Sequence, residues 1–214
     1  MLELYGHPFS SYTWKAQIAL HAADLDYKLH VIDPGHPDNM AFVAKHGGPF
    51  GKFPVLDDDG TVVFEATSII EHLAAHHQRA SGLIPSGRAE KLRNLDRVFD
   101  NYVMNVMNIA VYEQMRAPDA PDTARQDEAR AQLRTVYAWL ESRADALCRE
   151  HITLVDCAAA PSLFYADWVE PIGDDCPDLQ ALRARLLALP EVVKCVDAAY
   201  PYRQYFPLGA PDRD

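Results

Sequence analysis

"KHGGPFGKFPVLDDDGTVVF", Lys45 to Phe64, is the stretch on which the architecture turns. Glycines and prolines open it, and two short apolar runs follow, Pro54–Leu56 and Thr61–Phe64, separated by the turn residues Asp57 to Gly60. Strand-sized runs at that spacing predict an antiparallel hairpin. Working outward toward the N-terminus, Tyr27–Ile32 alternates apolar and polar residues, Trp14–Ala23 repeats apolar residues at helical spacing, and Leu2–Tyr5 alternates again. A strand, a helix and a second strand of these lengths favour a parallel pair joined by a crossover. Toward the C-terminus, Glu65–Gln78 reads as a helix. The first 78 residues therefore predict a small α/β domain with a mixed sheet.

Beyond it the pattern changes. "RASGLIPSGRAE" (79–90) is polar and turn-rich, so residues 79–89 are taken as a linker. From residue 90 to 214 no strand pattern appears. Lys91–Met115 carries one continuous apolar face through Leu92, Leu95, Val98, Phe99, Tyr102, Val103, Val106 and Ile109. "APDAPD" interrupts it, and Thr123–Leu147 forms a second long helix with Leu133, Val136, Tyr137 and Leu140 on its inner stripe. Thr153, with Asp156 three residues on, predicts a capped helix start, and Leu179–Leu189 a further helix. The fold class expected is α/β followed by all-α.

Composition narrows the function. Of 214 residues 49% are hydrophobic, enough for a sizeable core, and the formal net charge is −11 with no basic run. Binding to nucleic acid or to an anionic membrane surface is not expected, since both require concentrated Lys and Arg. Any anionic ligand must be caught by local groups. No apolar run has the length of a membrane span and no leader pattern opens the chain, so a cytoplasmic protein is expected. Cys148, Cys157, Cys176 and Cys195 contain no CxxC pair and are expected to serve as buried small hydrophobes. His72 and His76 stand one helical turn apart, but with no third ligand in view no metal site is expected.

Three short stretches carry candidate chemistry. "FSSYTWKAQIAL" (9–20) places Ser10, Ser11 and Tyr12 where a helix begins after a strand. A serine there serves either as an N-cap or as a hydroxyl donor at the positive end of the helix dipole. "GKFPVL" (51–56) opens a strand with Pro54. The ordinary reading is a trans edge proline, whereas a cis bond would free the Phe53 backbone to pair with an extended peptide. "FEATSIIEHL" (64–73) sets Glu65, Ala66 and Thr67 at another helix start, whose free N–H groups suit a carboxylate, with Lys52 nearby as a point charge. Lys52 as a solvated side chain and Glu65 as a first-turn acid are the plainer alternatives.

Together these stretches resemble the cytosolic glutathione S-transferase family over essentially the whole chain. "FSSYTWKAQIAL" is similar to the first turn of its serine-type, bacterial-like classes, nearest to a zeta-like form. "GPFGKFPVL" resembles the cis-proline segment, "EATSIIEHL" the glutathione motif, and "ITLVDCAAAP" the capped helix of the C-terminal domain. The resemblance implies a thioredoxin-like N-terminal domain and a helical C-terminal domain that supplies an electrophile pocket. It implies glutathione as co-substrate and a homodimer formed between the N-terminal domain of one subunit and the helices of the other.

Residue by residue it places the catalytic hydroxyl at Ser10, with Ser11 or Tyr12 as alternatives. Phe53, before the cis Pro54, would pair with the cysteinyl backbone, Lys52 would face the glycyl carboxylate, and Glu65 the γ-glutamyl ammonium. Ala66 departs from the family pattern, which has serine there, and Thr67 could compensate. The electrophile, a small hydrophobic molecule, would meet Tyr102, Met104, Met107, Asn108 and Tyr112. The implied activity is conjugation of glutathione to such electrophiles in detoxification. A glutathione-dependent isomerase or dehalogenase, or a transferase-like binding protein without catalysis, are the alternatives. "PYRQYFP" (201–207) is expected to pack on the helical domain, or else to fold Arg203 or Tyr202 back over the site.

Overall fold

Residues 1–147 and 151–214 are described in the computed structural model of the chain. Strand β1 (Leu2–Gly6), helix α1 (Ser11–Ala22) and strand β2 (Tyr27–Val31) form the expected crossover unit, with β1 and β2 parallel. Helix α2 (Pro37–His46) follows, and then β3 (Val55–Asp58), β4 (Thr61–Phe64) and α3 (Ala66–His76). The sheet order is β2-β1-β3-β4, with β3 antiparallel to both its neighbours. This is the thioredoxin-like arrangement. The hairpin is tighter than expected: Asp57 and Asp58 belong to β3, and only Asp59 and Gly60 turn, at φ +48° and +94°. Two left-handed residues match the twist of the flanking strands, which is why Asp-Gly sits there.

Side chains alternate across the sheet. Leu2, Leu4 and Leu56 join α1 and α3 in the main core, while Tyr5 and Val55 pack with Val43 under α2. Helix α2 did not show in the sequence because only Val43 of its ten residues is buried, too few to set a period.

The helical part comprises α4 (Ala89–Val98), a π-helical segment Phe99–Met104, α5 (Asn105–Arg116), α6 (Thr123–Glu141), α7 (Ala144–Leu147), α8 (Leu154–Val169), α9 (Pro177–Leu187) and α10 (Pro190–Ala199). The expected single helix 91–115 is thus wound differently at its centre, and the expected helix 123–147 breaks after Glu141. Between the two parts, Gln78–Leu83 and Ser86–Arg88 are short 3-10 turns with Ala80 and Leu83 buried. Every residue of α8 is buried. Its start is a capping box: Asp156 accepts from the Thr153 N–H at 3.0 Å and from the Thr153 hydroxyl at 2.8 Å. Such caps contribute about 1 kcal/mol. Helix α8 packs along α1, so one core runs through both parts of the chain.

Candidate active site

The turn before α1 is held from both sides. A Cβ on Gly6 would come within 2.6 Å of Thr13, so only glycine allows that close approach, and the Thr13 hydroxyl accepts the His7 N–H at 3.2 Å. Trp14 donates its indole N–H to the Pro8 carbonyl at 2.6 Å, and Tyr165 of α8 donates its hydroxyl to the Phe9 carbonyl at 3.0 Å. Ser10 is then fixed as N-cap of α1: its Oγ accepts the Thr13 N–H at 3.3 Å, and its own O–H remains able to donate. Ser11 is the first helical residue beside it. Tyr12, half-buried, donates to Asn105 Oδ1 at 3.1 Å, and burial lifts its pKa well above the ordinary tyrosine value, so it stays protonated.

The Phe53–Pro54 bond is cis. No loop or side-chain hydrogen bond among the described residues uses the Phe53 backbone. Glu65 stands at the N-terminus of α3 with φ +71° and ψ 122°, a region that few non-glycine residues enter. Strain of this kind costs about 1–3 kcal/mol and collects at ligand clamps. No side chain caps α3, so its first N–H groups are free to receive an anion.

These features converge on one two-armed cleft. A polar arm of about 280 Å³ is bounded by Lys52, Phe53, Pro54, Glu65, Ala66, Asp100, Asn101 and Asn105. An apolar arm of about 470 Å³ is bounded by Ser10, Ser11, Met107, Val111 and Met115, with Tyr165, Tyr205 and Phe206. Tyr12, Lys52, Phe53, Asn108 and Tyr112 border both. A larger hollow of about 780 Å³, near Arg79 and Leu189, contains none of these residues.

Three expected positions differ. Tyr102 is 57% exposed and borders neither arm, and Met104 is buried in the core, because the π-helical winding turns both away from the cleft. The Thr67 hydroxyl does not face the cleft to compensate for Ala66. It is buried, donating to Asp96 Oδ2 at 2.9 Å and accepting from Lys15 Nζ at 2.8 Å. Lys15 itself is buried and ion-paired to Asp96 at 2.6 Å and Asp100 at 2.7 Å. Burial raises the Asp96 carboxyl above the usual range although Lys15 opposes that rise. Asp100 reaches from this cluster into the polar arm.

Sequence reading also missed His7 and Asn105, and in the C-terminal segment it singled out Arg203 and Tyr202, whereas Tyr205 and Phe206 border the apolar arm. His7 takes the Phe9 N–H on Nδ1, and burial lowers its pKa, so the neutral ring borders the apolar arm. The aromatic density of residues 201–207 was the available signal. Tyr202 packs edge-on against His7, Phe206 packs on Tyr165 and Trp168, and Arg203 turns outward to the carbonyls of residues 211, 213 and 214. Cys157, Cys176 and Cys195 are buried free thiols, their pKa values raised by burial, that of Cys195 to about 12. Cys148 lies outside the described residues.

Comparison with known proteins agrees with this geometry. Residues 4–81 match the family model "Glutathione S-transferase, N-terminal domain", and residues 102–190 the model "Glutathione S-transferase, C-terminal domain". Glutathione S-transferase F6 of Arabidopsis thaliana is 24% identical over 205 residues, spanning 90% of this chain and 98% of the relative. The crystal structure of glutathione transferase F7 from Populus trichocarpa superposes with TM-score 0.77 at 23% identity, covering 92% of this chain and 99% of that one. A glutathione S-transferase from Methylobacillus flagellatus KT with GSH bound gives 0.77 at 22% identity, over 91% and 98%. Two consecutive domain matches, a cis proline before β3 and an uncapped α3 facing the polar arm lead to one assignment: the chain belongs to the glutathione S-transferase family, whose co-substrate is glutathione.

Proposed function

We propose that this chain conjugates the glutathione thiolate to small hydrophobic electrophiles, with Ser10 as the hydroxyl that holds the sulfur anion. The observation that carries this reading is the position of Ser10: it caps α1 at the positive end of its dipole and borders the apolar arm next to the polar one. In the polar arm the Phe53 backbone would pair with the cysteinyl unit, Lys52 would meet the glycyl carboxylate, and Glu65 the γ-glutamyl ammonium. The free N–H groups of α3 would take the γ-glutamyl carboxylate. Met107, Asn108 and Tyr112 would line the electrophile's side. Subunit pairing, with the 83% exposed Phe50 among the apolar side chains to be covered, and a cytoplasmic detoxifying role belong to the same reading.

The energetics are sufficient without a general base. A free alkyl thiol of pKa about 8.5 is only a few per cent thiolate at neutral pH. Lowering that value by about two units requires roughly 2.7 kcal/mol. A hydroxyl donating to the anion supplies an estimated ~1.5–3 kcal/mol and the helix dipole about 0.3–1 kcal/mol. The thiol proton leaves to solvent, the thiolate attacks the electrophilic carbon, and chloride departs when the substrate is a chloroarene. The deciding experiment is retention on immobilised glutathione together with 1-chloro-2,4-dinitrobenzene turnover. Conjugate formation supports the reading; retention without turnover would leave a binding protein.

Ala66 sets an expectation of its own. A serine hydroxyl at that position would add a charge-assisted hydrogen bond to a carboxylate at the start of α3, in the range of ~1.5–3 kcal/mol. Ala66→Ser is therefore expected to tighten glutathione binding by about tenfold or more, as read by titration calorimetry. Equal affinity in both proteins would show that the backbone N–H groups already saturate the carboxylate.

A further inference from the structure

Away from the cleft, the opposite end of α3 gathers three side chains with metal-ligand chemistry. His72 lies in the last turns of α3, and the helix stops at His76, so that His77 leaves it in an extended conformation, φ −117° and ψ 113°. That change of direction aims the His77 ring at β3 instead of along the helix. Both imidazoles then reach the same oxygen: His72 Nε2 is 2.9 Å and His77 Nε2 2.7 Å from Asp58 Oδ2. The His76 ring only lies alongside that of His72, with centroids 4.5 Å apart. The ligating atoms of Asp58, His72 and His77 all fall within 4.8 Å of one another. All three side chains are partly accessible, at 16%, 12% and 24% exposure. Among the described residues, no lysine or arginine is ion-paired with Asp58.

We propose that Asp58, His72 and His77 form a binding site for a divalent transition-metal ion of the zinc type. Two imidazoles and one carboxylate suit such an ion, with a water completing a tetrahedron. Ligand atoms about 2.0–2.2 Å from the metal stand roughly 3.3 Å from each other in that geometry. The two nitrogen–oxygen separations thus need to open by about half an ångström, within the reach of side-chain rotation, and the two ring nitrogens already lie within 4.8 Å of each other. Metal binding replaces the ring protons now shared with Asp58, and the ion would sit at the C-terminus of α3, where the helix dipole favours positive charge. It would also tie the end of α3 to the β3–β4 hairpin. This site is independent of the glutathione chemistry, which uses the other end of α3.

Titration of the tag-free, metal-stripped chain with zinc chloride against a chromophoric chelator tests it. One zinc per chain is expected, with an affinity on the order of 10 μM, as a three-ligand surface site falls short of closed structural sites. His72→Gln, His77→Gln and Asp58→Asn should each weaken it by at least about tenfold, while His76→Gln should leave it unchanged. Zinc should raise the unfolding temperature of the parent chain and not that of His77→Gln, whose metal-free transition and circular dichroism establish that it folds. Cobalt should give visible ligand-field bands without the near-ultraviolet charge-transfer band of a thiolate. No zinc uptake, uptake as strong in His72→Gln or His77→Gln as in the parent chain, or a thiolate band pointing to the cysteines would each overturn the assignment.

Discussion

Ser10→Ala should slow conjugation of a chloroarene by about ten- to a hundredfold, the kinetic equivalent of losing a hydrogen bond of ~1.5–3 kcal/mol to a charged sulfur. The sharper readout is the pH–rate profile. With the hydroxyl gone, the pKa of the bound thiol should rise by about one to two units, so that the variant's rate keeps climbing into alkaline pH where the parent has levelled off. Ser10 also caps α1, and its loss costs about 1 kcal/mol of stability, which urea denaturation measures separately. Ser10→Thr retains a hydroxyl in both roles and should recover most of the activity. A profile that does not move on Ser10→Ala would transfer the role to Ser11, since Tyr12 is engaged with Asn105.

Lys15→Met should be the most destabilising single change among the groups beneath the cleft. The ammonium of Lys15 is 1% exposed and pairs with Asp96, which is wholly buried, and with Asp100. Removing it leaves the buried Asp96 carboxylate with only the half-exposed Arg97 guanidinium as counter-charge, at a cost of up to about 3–5 kcal/mol. For a chain of this length that lowers the unfolding temperature by roughly 6–20 °C. The double variant Lys15→Met/Asp96→Leu should recover part of the loss, because it removes the fully buried charge of Asp96, while Asp100, which loses the same lysine, lies nearer to solvent. Proton linkage supplies the sign of the pH effect. The folded-state pKa of Asp96 lies above its unfolded value, so the folded chain binds the extra proton, and the associated stability is lost as pH rises through the folded pKa. In Lys15→Met that pKa moves higher still, and the deficit should therefore be smaller in mildly acid solution than at neutral pH. A deficit that does not vary with pH would contradict the account.

The parts of the architecture legible in the sequence were those fixed by neighbours along the chain. Alternation in Leu2–Tyr5 and Tyr27–Ile32, the Asp59-Gly60 turn and the Thr153–Asp156 cap are local devices, and the strands and helix start appear where they point. Residues that depend on distant partners were not legible. Nothing near Lys15 in the sequence marks it as buried; α3 and α4 bring Thr67 and Asp96 to it. Thr67 reads as a first-turn hydroxyl available to ligand until the same contact takes it inward. Tyr205 and Phe206 reach the apolar arm only because the chain returns across α8. Helix α10 was not among the expected elements; it opens on Pro190, a residue at home in the first helical turn. The placement of Ser10, Lys52, Phe53 and Glu65 around one cleft followed motif order, whereas the strained backbone of Glu65 has no signature in its side chain.

The π-helical segment Phe99–Met104 has a consequence for how this cleft can change. Such a segment holds one residue more than an α-helix of the same rise, so it shifts the phase of everything after it by about 100° relative to an uninterrupted helix. Helix α4 thereby directs Leu92, Leu95 and Asp96 into the core, while α5 presents Met107, Asn108, Val111 and Tyr112 to the cleft. Loss of one codon between positions 99 and 104 would let the winding relax to an ordinary helix with the deletion cancelling the extra residue, so that α5 keeps its phase and Met107, Asn108, Val111 and Tyr112 stay on the cleft. The bulge is accordingly a place where this helix can shed a residue without moving that side of the cleft, whereas a one-residue deletion elsewhere in α4 or α5 would turn the wall by about 100°.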